Sequence, residues 1–261
     1  MTLRRRFTGM GTALIGAMLF ALVTGIGGSS VLAQDGTPMA GKTDMGNCVE
    51  ALGIGAEGDS CINVVHASPD APAVDVYLDG AQALTGLEFG AISGWVAVPA
   101  GDHQVQVTPA GEEASSAVID ATVTLEAGAA YHVAATGLVA EITPQIFQVN
   151  LSMLADDTAR VRVIHTSPDA PAVDIAVKGG DVLIPGLEFP NASDALEVPA
   201  GSYDLEVRPA GTTDVALDLP GVALEAGMVY DVFAIGQLSD GSLTVLVVPS
   251  TTTGAMATPE A

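Results

Sequence analysis

Apolar and polar residues alternate along most of the chain after residue 60. In the stretch 74–78, Val74, Val76 and Leu78 share one phase and the residues between them are polar or amphipathic. This period of two predicts a β-strand with one buried face. Similar short runs follow, separated by turns rich in Gly, Pro and Asp, and no window keeps a helical period over three turns. The pattern predicts an all-β protein.

The chain carries the same module twice. The ten residues His-Ala-Ser-Pro-Asp-Ala-Pro-Ala-Val-Asp at 66–75 return 99 positions later, at 165–174, with nine of ten identical. A Pro-Ala-Gly turn and a Leu-Glu-Ala-Gly turn follow each copy in the same order. About seven short strands per copy, with frequent turns, fit an antiparallel sandwich. We therefore expect two tandem antiparallel β-sandwich domains, at 61–150 and 160–249, with a linker at 151–159 and a disordered tail at 250–261.

The repeated motif, with its Pro-Ala-Gly turn and its Leu-Glu-Ala-Gly turn before a Tyr strand, resembles domain-of-unknown-function family 4397. The resemblance covers both copies. It implies an immunoglobulin-like or transthyretin-like sandwich, often in tandem, in an exported bacterial or archaeal protein of the cell envelope or extracellular space. It brings no established activity and no catalytic residues. The second copy departs from the first by carrying Lys178 near the place of Asp79.

Residues 1–33 have the features of an export signal. Three arginines at 4–6 precede an uncharged stretch that ends in Val-Leu-Ala at 31–33, so the expected cleavage lies between Ala33 and Gln34. The arginines also resemble a twin-arginine start, which leaves both the general and the twin-arginine export routes open. An uncleaved membrane anchor is the alternative, because the apolar stretch is nearly long enough to span a bilayer. After cleavage, no remaining segment predicts a membrane span.

Residues 34–60 are predicted to be a linker that contains a disulfide loop. The chain has two cysteines, Cys48 and Cys61, and both follow the export signal. In an oxidising compartment such a pair usually forms a bridge. Structural zinc needs four ligands, and no Cys-x-x-Cys motif or neighbouring His completes a set. The sequence therefore predicts a disulfide between Cys48 and Cys61.

The charge balance argues against nucleic acid as a partner. The chain carries 31 acidic residues against eight Lys and Arg, a net charge of −23. A field of this sign repels phosphate backbones and keeps a protein soluble and monomeric. Adaptation to salt and loose cation binding are the other interpretations. Aromatic residues make up 4% of the chain, which leaves little material for a flat platform that stacks on sugars.

Each copy of the motif supplies an imidazole, a hydroxyl and two carboxylates, which permit three interpretations. The weak candidates for a calcium or small-ligand site are Asp70, Asp75, Asp169 and Asp174. A hydrolase is the least favoured, because the residues are crowded and no nucleophile elbow is present. We favour a structural turn, since two prolines exclude a helix and the histidine falls on the inward phase of the preceding strand. The motif residues are His66, Ser68, Pro69, Asp70, Pro72, Asp75, His165, Ser167, Pro168, Asp169, Pro171 and Asp174.

Three residues, one in the motif and two outside it, are predicted to face solvent. Asp75 is in phase with solvent and is expected to stay charged there. His103 and His132 have no counterpart in the second copy, and each is expected on the surface of a strand.

The sequence predicts an exported, non-enzymatic protein that serves as an interaction or spacer module of the cell envelope or extracellular space. Its expected partner is a protein or an envelope component, with no nucleic acid and no cofactor except a possible calcium ion. A calcium or small-ligand module that uses the motif loops is the alternative. The sequence leaves open the oligomeric state and the angle between the domains.

Overall fold

The computed structural model describes residues 45–253, and nearly all of their regular secondary structure is β-strand. This confirms the predicted all-β fold class. One short helix, α1 (Cys48–Leu52), precedes the strands. The first copy contains β1 (Asp59–His66), β2 (Val74–Leu78), β3 (Ala81–Leu87), β4 (Ile92–Pro99), β5 (Gly101–Pro109), β6 (Ile119–Leu125), β7 (Ala130–Thr136) and β8 (Thr143–Val149). The second contains β9 (Thr158–His165), β10 (Val173–Val177), β11 (Val182–Leu187), β12 (Leu196–Pro199), β13 (Gly201–Pro209), β14 (Leu217–Leu224), β15 (Met228–Ile235) and β16 (Thr244–Thr251).

Each copy folds into a sandwich of two four-stranded sheets, with eight strands where about seven were expected. The sheets of the first copy have the orders β4-β1-β7-β8 and β3-β2-β5-β6, and those of the second copy repeat them as β12-β9-β15-β16 and β11-β10-β13-β14. Strand β1 pairs in parallel with β7 and lies in a different sheet from β2. An immunoglobulin constant-type domain has seven strands and keeps its first two in one sheet. The observed order is therefore not the immunoglobulin one.

The core of each sandwich follows from the alternation in the sequence. In the first copy, Val74 and Val76 of β2 pack with Val107 of β5 and Val64 of β1. In the second, Ile175 and Val207 pack with Val163. Full burial of such a side chain contributes about 1.5–3 kcal/mol, so these positions hold the two sheets of each sandwich together.

The two sandwiches also pack against each other through one sheet each. We call β4-β1-β7-β8 and β12-β9-β15-β16 the inner sheets, and their contact the inner interface. Apolar residues from both copies meet there, among them Val65 and Ala134 of the first copy and Ile164 and Phe233 of the second. All seven residues of β7 are buried, because its two faces cover a sandwich core and the inner interface. The result is a stack of four sheets.

The segment predicted as a linker before the first sandwich contains α1 and is packed. The side chain of Asn47 caps the helix by accepting a hydrogen bond from the Val49 amide, 3.0 Å away. The predicted disulfide between Cys48 and Cys61 is confirmed. Both cysteines are buried in a cluster that includes Ala130 and Val229. The bridge therefore ties α1 to β1 at a place where the two copies meet.

Three boundaries differ from the predicted ones. Leu151, placed in the linker, is fully buried, and its amide donates to the carbonyl of Met45. Strand β9 begins at Thr158, and β16 continues to Thr251, within the segment predicted as a tail. The predicted signal at 1–33, its cleavage site at Ala33 and Gln34, and the end of the tail lie outside the described residues. Within residues 45–253, no helix is long and apolar enough to cross a membrane.

Candidate functional site: the two motif loops

The repeated motif forms the loop that leads from one sheet of each sandwich to the other. It starts at His66 on β1 and ends on β2; in the second copy it joins β9 to β10. The imidazole of His66 is buried, and its Nε2 lies 3.0 Å from the carbonyl oxygen of Pro72. A carbonyl only accepts, so Nε2 is the donor, and Nδ1 accepts from the amide of Ser68 at 3.4 Å. The neutral ring therefore links the two ends of the loop.

The second copy repeats the bond from Nε2 but not the bond to Nδ1, because Nδ1 of His165 is buried without a hydrogen-bond partner. Nε2 of His165 lies 3.1 Å from the carbonyl oxygen of Pro171. Burial lowers the pKa of His66 and of His165, and the bond to the proline carbonyl offsets only part of that effect. Each ring also forms a T-shaped pair with a phenylalanine, Phe89 or Phe189, at centroid distances of 6.2 and 6.3 Å. Both histidines are held in the neutral form by their surroundings.

The expectation that Asp75 faces solvent is wrong, because only 3% of this residue is exposed. Its carboxylate accepts hydrogen bonds from the amides of Gly86 (2.7 Å) and Gly111 (2.8 Å) and from the side chain of Gln82 (3.0 Å). These bonds, led by the one from Gly111, lower the pKa of Asp75. Both glycines have positive φ, a conformation that glycine adopts at little cost. Asp75 thus fastens β2 to β3 and to the turn that follows β5.

Asp174 does the same in the second copy. It accepts from the amides of Gly186 at 2.7 Å and Gly211 at 2.8 Å, and both of these glycines also have positive φ. The repeated glycines and the repeated aspartate therefore form one structural unit. This explains why they return together along the sequence.

Asp70 and Asp169 fasten the motif loop to a different part of the sandwich. Asp70 accepts from the amide of Val139, in the connection between β7 and β8, at 2.8 Å. Asp169 accepts from the amides of Leu238 and Ser239, in the equivalent connection, at 2.8 and 2.9 Å. Within each copy the two aspartates of the motif are thus bonded to different segments. Among residues 45–253, no group of three or more His, Cys, Asp or Glu side chains is placed to hold a metal ion.

The motif does not form a nucleophile and base pair. The hydroxyl oxygens of Ser68 and Ser167 are buried and have no hydrogen-bond partner. A serine nucleophile needs its hydroxyl within hydrogen-bond reach of a base, whereas the bond between Ser68 and His66 uses the serine amide. The prolines Pro69, Pro72, Pro168 and Pro171 fall in the same two loops, where they fix the backbone. The polar side chains of the motif therefore bond to the protein's own backbone or are buried.

A polar cluster at the inner interface was missed by sequence reasoning. His132, expected on a strand surface, is fully buried there. Its Nε2 lies 3.0 Å from Oδ2 of Asp231, and Nε of Arg162 donates to Oδ1 of the same carboxylate at 2.7 Å. Burial alone would raise the pKa of Asp231, but the bond from His132 and the charge of Arg162 hold it below its usual range. The other unmatched histidine, His103, is only partly exposed and bonds to Asp79 at 2.7 Å.

One signal in the sequence could have indicated this interface. Strand β7 reads Ala-Tyr-His-Val-Ala-Ala-Thr and β15 reads Met-Val-Tyr-Asp-Val-Phe-Ala-Ile. Both strands are mostly apolar in both phases, as expected of a strand that is covered on both faces. The polar residue in the middle of each strand is then a buried one.

The fold and the two motif loops define a tandem β-sandwich protein with two matching copies. Residues 60–176 and 174–258 match the family described as "Domain of unknown function (DUF4397)". The chain belongs to this family, and the expected tandem arrangement is confirmed.

No curated protein matches the sequence. Among solved structures, the Bacillus anthracis TIE protein is 9% identical with a TM-score of 0.23; the match covers 69% of this chain and 34% of that protein, so the chain spans about a third of its length. A family 26 carbohydrate-binding module of Eubacterium rectale Amy13K, in complex with maltoheptaose, is 10% identical with a TM-score of 0.23, covering 72% of this chain and 95% of that one. A Parabacteroides distasonis protein assigned to cell adhesion is 9% identical with a TM-score of 0.20, and the match covers 75% of this chain and 99% of that one.

Proposed function

We propose that this protein is an exported, non-enzymatic module that acts as a rigid interaction or spacer unit in the cell envelope or extracellular space. The observation that carries the proposal is the use of the motif's polar groups. His66, Asp70 and Asp75 all bond to the protein's own backbone, and their counterparts in the second copy do the same. The most strongly repeated residues therefore maintain the shape of each sandwich.

The inner interface supports the spacer role. The two sandwiches share a buried apolar cluster and the pair formed by His132 and Asp231. Tandem domains joined only by a linker move freely relative to each other, whereas a buried apolar contact restrains them. The four sheets thus form one stiff body, which is what a spacer or a display unit requires.

The disulfide and the charge support the proposed location. A bridge between Cys48 and Cys61 persists in oxidising compartments and is rare in the cytosol. The net charge of −23 favours solubility outside the cell and repels nucleic acid. The motif resemblance and the arginine-led N-terminus support the same location.

Export and the lack of catalysis are tested together with the full chain. We expect a bacterium that expresses it to place it beyond the cytoplasmic membrane, with Gln34 as the first residue and Cys48 bonded to Cys61. N-terminal sequencing and thiol labelling of the recovered protein measure both features. A broad hydrolase screen compares the natural chain with the His66→Ala, His165→Ala variant. Retention in the cytoplasm with free thiols would contradict export, and a hydrolysis that the variant loses would contradict the non-enzymatic role.

A further inference from the structure

The second sandwich encloses an apolar cavity between its two sheets. Its volume is about 280 Å³, and aliphatic side chains from both sheets line it, including Val163, Val232, Ile175 and Leu205. Protein interiors contain few voids larger than a water molecule, and an engineered apolar cavity of about 150 Å³ holds benzene. The space in the second sandwich is therefore large enough for a small apolar molecule or an alkyl chain.

The first sandwich has only a small space at the equivalent place. That cavity measures about 60 Å³ and is lined by Val64, Val105 and Val133 among others. The two sandwiches also differ in strand pairing within the sheet that does not form the inner interface, which we call the outer sheet. Strand β6 pairs with β5 without a shift of register, whereas β13 and β14 shift between Tyr203 and Leu205. Three core-facing residues of β14, Leu217, Leu219 and Val222, are half-buried and only Leu224 is buried, whereas in β6 only Ala121 is half-buried. Strand β14 therefore packs less closely on the core than β6 does.

The cavity opens at one edge of the second sandwich. Strand β4 has eight residues, but its counterpart β12 has four. Before β12, Ala192 still bridges Ile164 of β9, and the pairing of this edge is interrupted between Ala192 and Leu196. Leu183, Ile184 and Leu196 line both the cavity and a surface groove at this edge. Leu183 is 41% exposed, so the lining that the two spaces share reaches the protein surface at this edge.

The groove differs from the cavity in its chemistry. Its lining includes the exposed carboxylates of Glu188 and Asp194 together with the polar side chains of Asn191 and Ser193. An apolar interior that continues into a polar, acidic opening fits a molecule with an apolar chain and a polar head. The two carboxylates and the net charge of −23 disfavour an anionic head group.

We propose that the second sandwich binds one amphiphile, with an alkyl chain between the sheets and a neutral or cationic head group in the groove. The linings of the cavity and the groove contain no motif residue and no residue of the polar cluster at the inner interface. The groove adjoins the second motif loop at Gly186, whose amide donates to Asp174. The site gives the second copy a binding function that the first copy lacks.

The first arm of the test uses N-phenyl-1-naphthylamine, a neutral apolar fluorophore, with the full chain. We expect saturable binding of one fluorophore per chain. Decanol and decyltrimethylammonium, added below the concentrations at which they aggregate, should displace it. Decanoate should displace it at least roughly ten-fold less well at low salt. The Glu188→Gln, Asp194→Asn variant should lose this discrimination. Equal displacement by decanoate would overturn the assigned head-group preference.

The second arm uses a matched pair of variants at equivalent positions. Leu196→Trp narrows the passage of the second sandwich, and Val96→Trp places the same ring on the first. Thermal unfolding establishes that each variant is folded. We expect Leu196→Trp to weaken fluorophore binding at least roughly ten-fold and Val96→Trp to bind as the natural chain does.

A third variant covers the case in which Leu196→Trp fails to fold. Val232→Phe fills the cavity from the inner sheet and should give the same loss of binding. The proposal is overturned by the absence of saturable binding to the natural chain. It is equally overturned if Val96→Trp weakens binding as much as the folded cavity variant does.

Discussion

Replacing Asp231 by alanine should cost the protein a large part of its stability. The carboxylate is buried, and it is the acceptor for His132 Nε2 at 3.0 Å and for Arg162 Nε at 2.7 Å. Without this carboxylate, the guanidinium of Arg162, whose side chain is 16% exposed, keeps its charge at the inner interface with no ion-pair partner there. Removing one partner of a buried ion pair costs about 3–5 kcal/mol. A typical domain has only about 5–15 kcal/mol of stability, so the loss should be easy to measure.

Urea unfolding followed by tryptophan fluorescence is the appropriate assay. Trp95 is the only tryptophan, its ring centroid lies 4.9 Å from that of His132, and its Nε1 donates to Ser250 across the inner interface. Its emission therefore reports both unfolding and any opening of the interface. We expect a lower midpoint and a red-shifted emission before unfolding. A loss below about 1 kcal/mol would refute this reasoning, because the carboxylate would then behave as an exposed one.

A second variant distinguishes the loss of the ion pair from the cost of leaving the Arg162 guanidinium charged and unpaired. Asp231→Leu combined with Arg162→Met and His132→Leu removes the whole polar cluster. Replacement of a buried ion pair by apolar residues of similar volume is often neutral or stabilising. We expect this triple variant to be more stable than Asp231→Ala. An equal loss in both would mean that packing, and not the unpaired charge, determines the cost.

Three further outcomes follow from the described contacts. Burial lowers the pKa of His66 and His165 below the usual value of 6.5, so below pH 6.5 the unfolded chain binds protons more readily than the folded chain and the free energy of unfolding should fall as the pH drops. Urea unfolding between about pH 7.5 and about 5.5 measures this change. If the His66→Gln, His165→Gln variant shows the same dependence on pH as the natural chain, the two histidines are not its cause. Cys48→Ser with Cys61→Ser should lower the free energy of unfolding by about 2–4 kcal/mol, and a reductant should destabilise the natural chain but not this variant. Calcium should leave the melting temperature unchanged, because Asp70, Asp75, Asp169 and Asp174 already accept backbone hydrogen bonds; a rise that Asp70→Ala with Asp169→Ala abolishes would instead support cation binding.

The features that depend on local pattern could be predicted from the sequence. Alternation at 74–78 corresponds to β2, and the pairing of Cys48 with Cys61 needed only the count of cysteines and the expected compartment. The inward phase of His66 followed from its place in the first strand, where its ring is indeed buried. In each case the information lies within a few residues of the position concerned.

Features that depend on what covers a strand could not be predicted in this way. Asp75 has the phase of a solvent-facing residue, yet the amides of Gly86, on the neighbouring strand β3, and of Gly111, after β5, donate to its carboxylate. His132 likewise has a solvent phase within its own sandwich, but the second copy covers it. Periodicity gives the face of a sheet on which a side chain lies, and it does not say whether that face meets water or another sheet.

The inner interface explains why the two copies differ where they meet. His132 and Asp231 occupy equivalent positions, at the centre of Tyr-His-Val on β7 and of Tyr-Asp-Val on β15. Their direct contact brings equivalent positions of the two copies together, and the equivalent pairs Val65 and Ile164, and Ala134 and Phe233, lie in one cluster beside it. Equivalent positions meet in this way at an isologous interface. Two first copies packed in this way would bring His132 against itself, and two second copies would bury Asp231 against another carboxylate. Like charges at such a contact are unfavourable, whereas histidine against aspartate is not. The difference between the copies therefore favours pairing of the first sandwich with the second, within one chain, over pairing of either with its own kind.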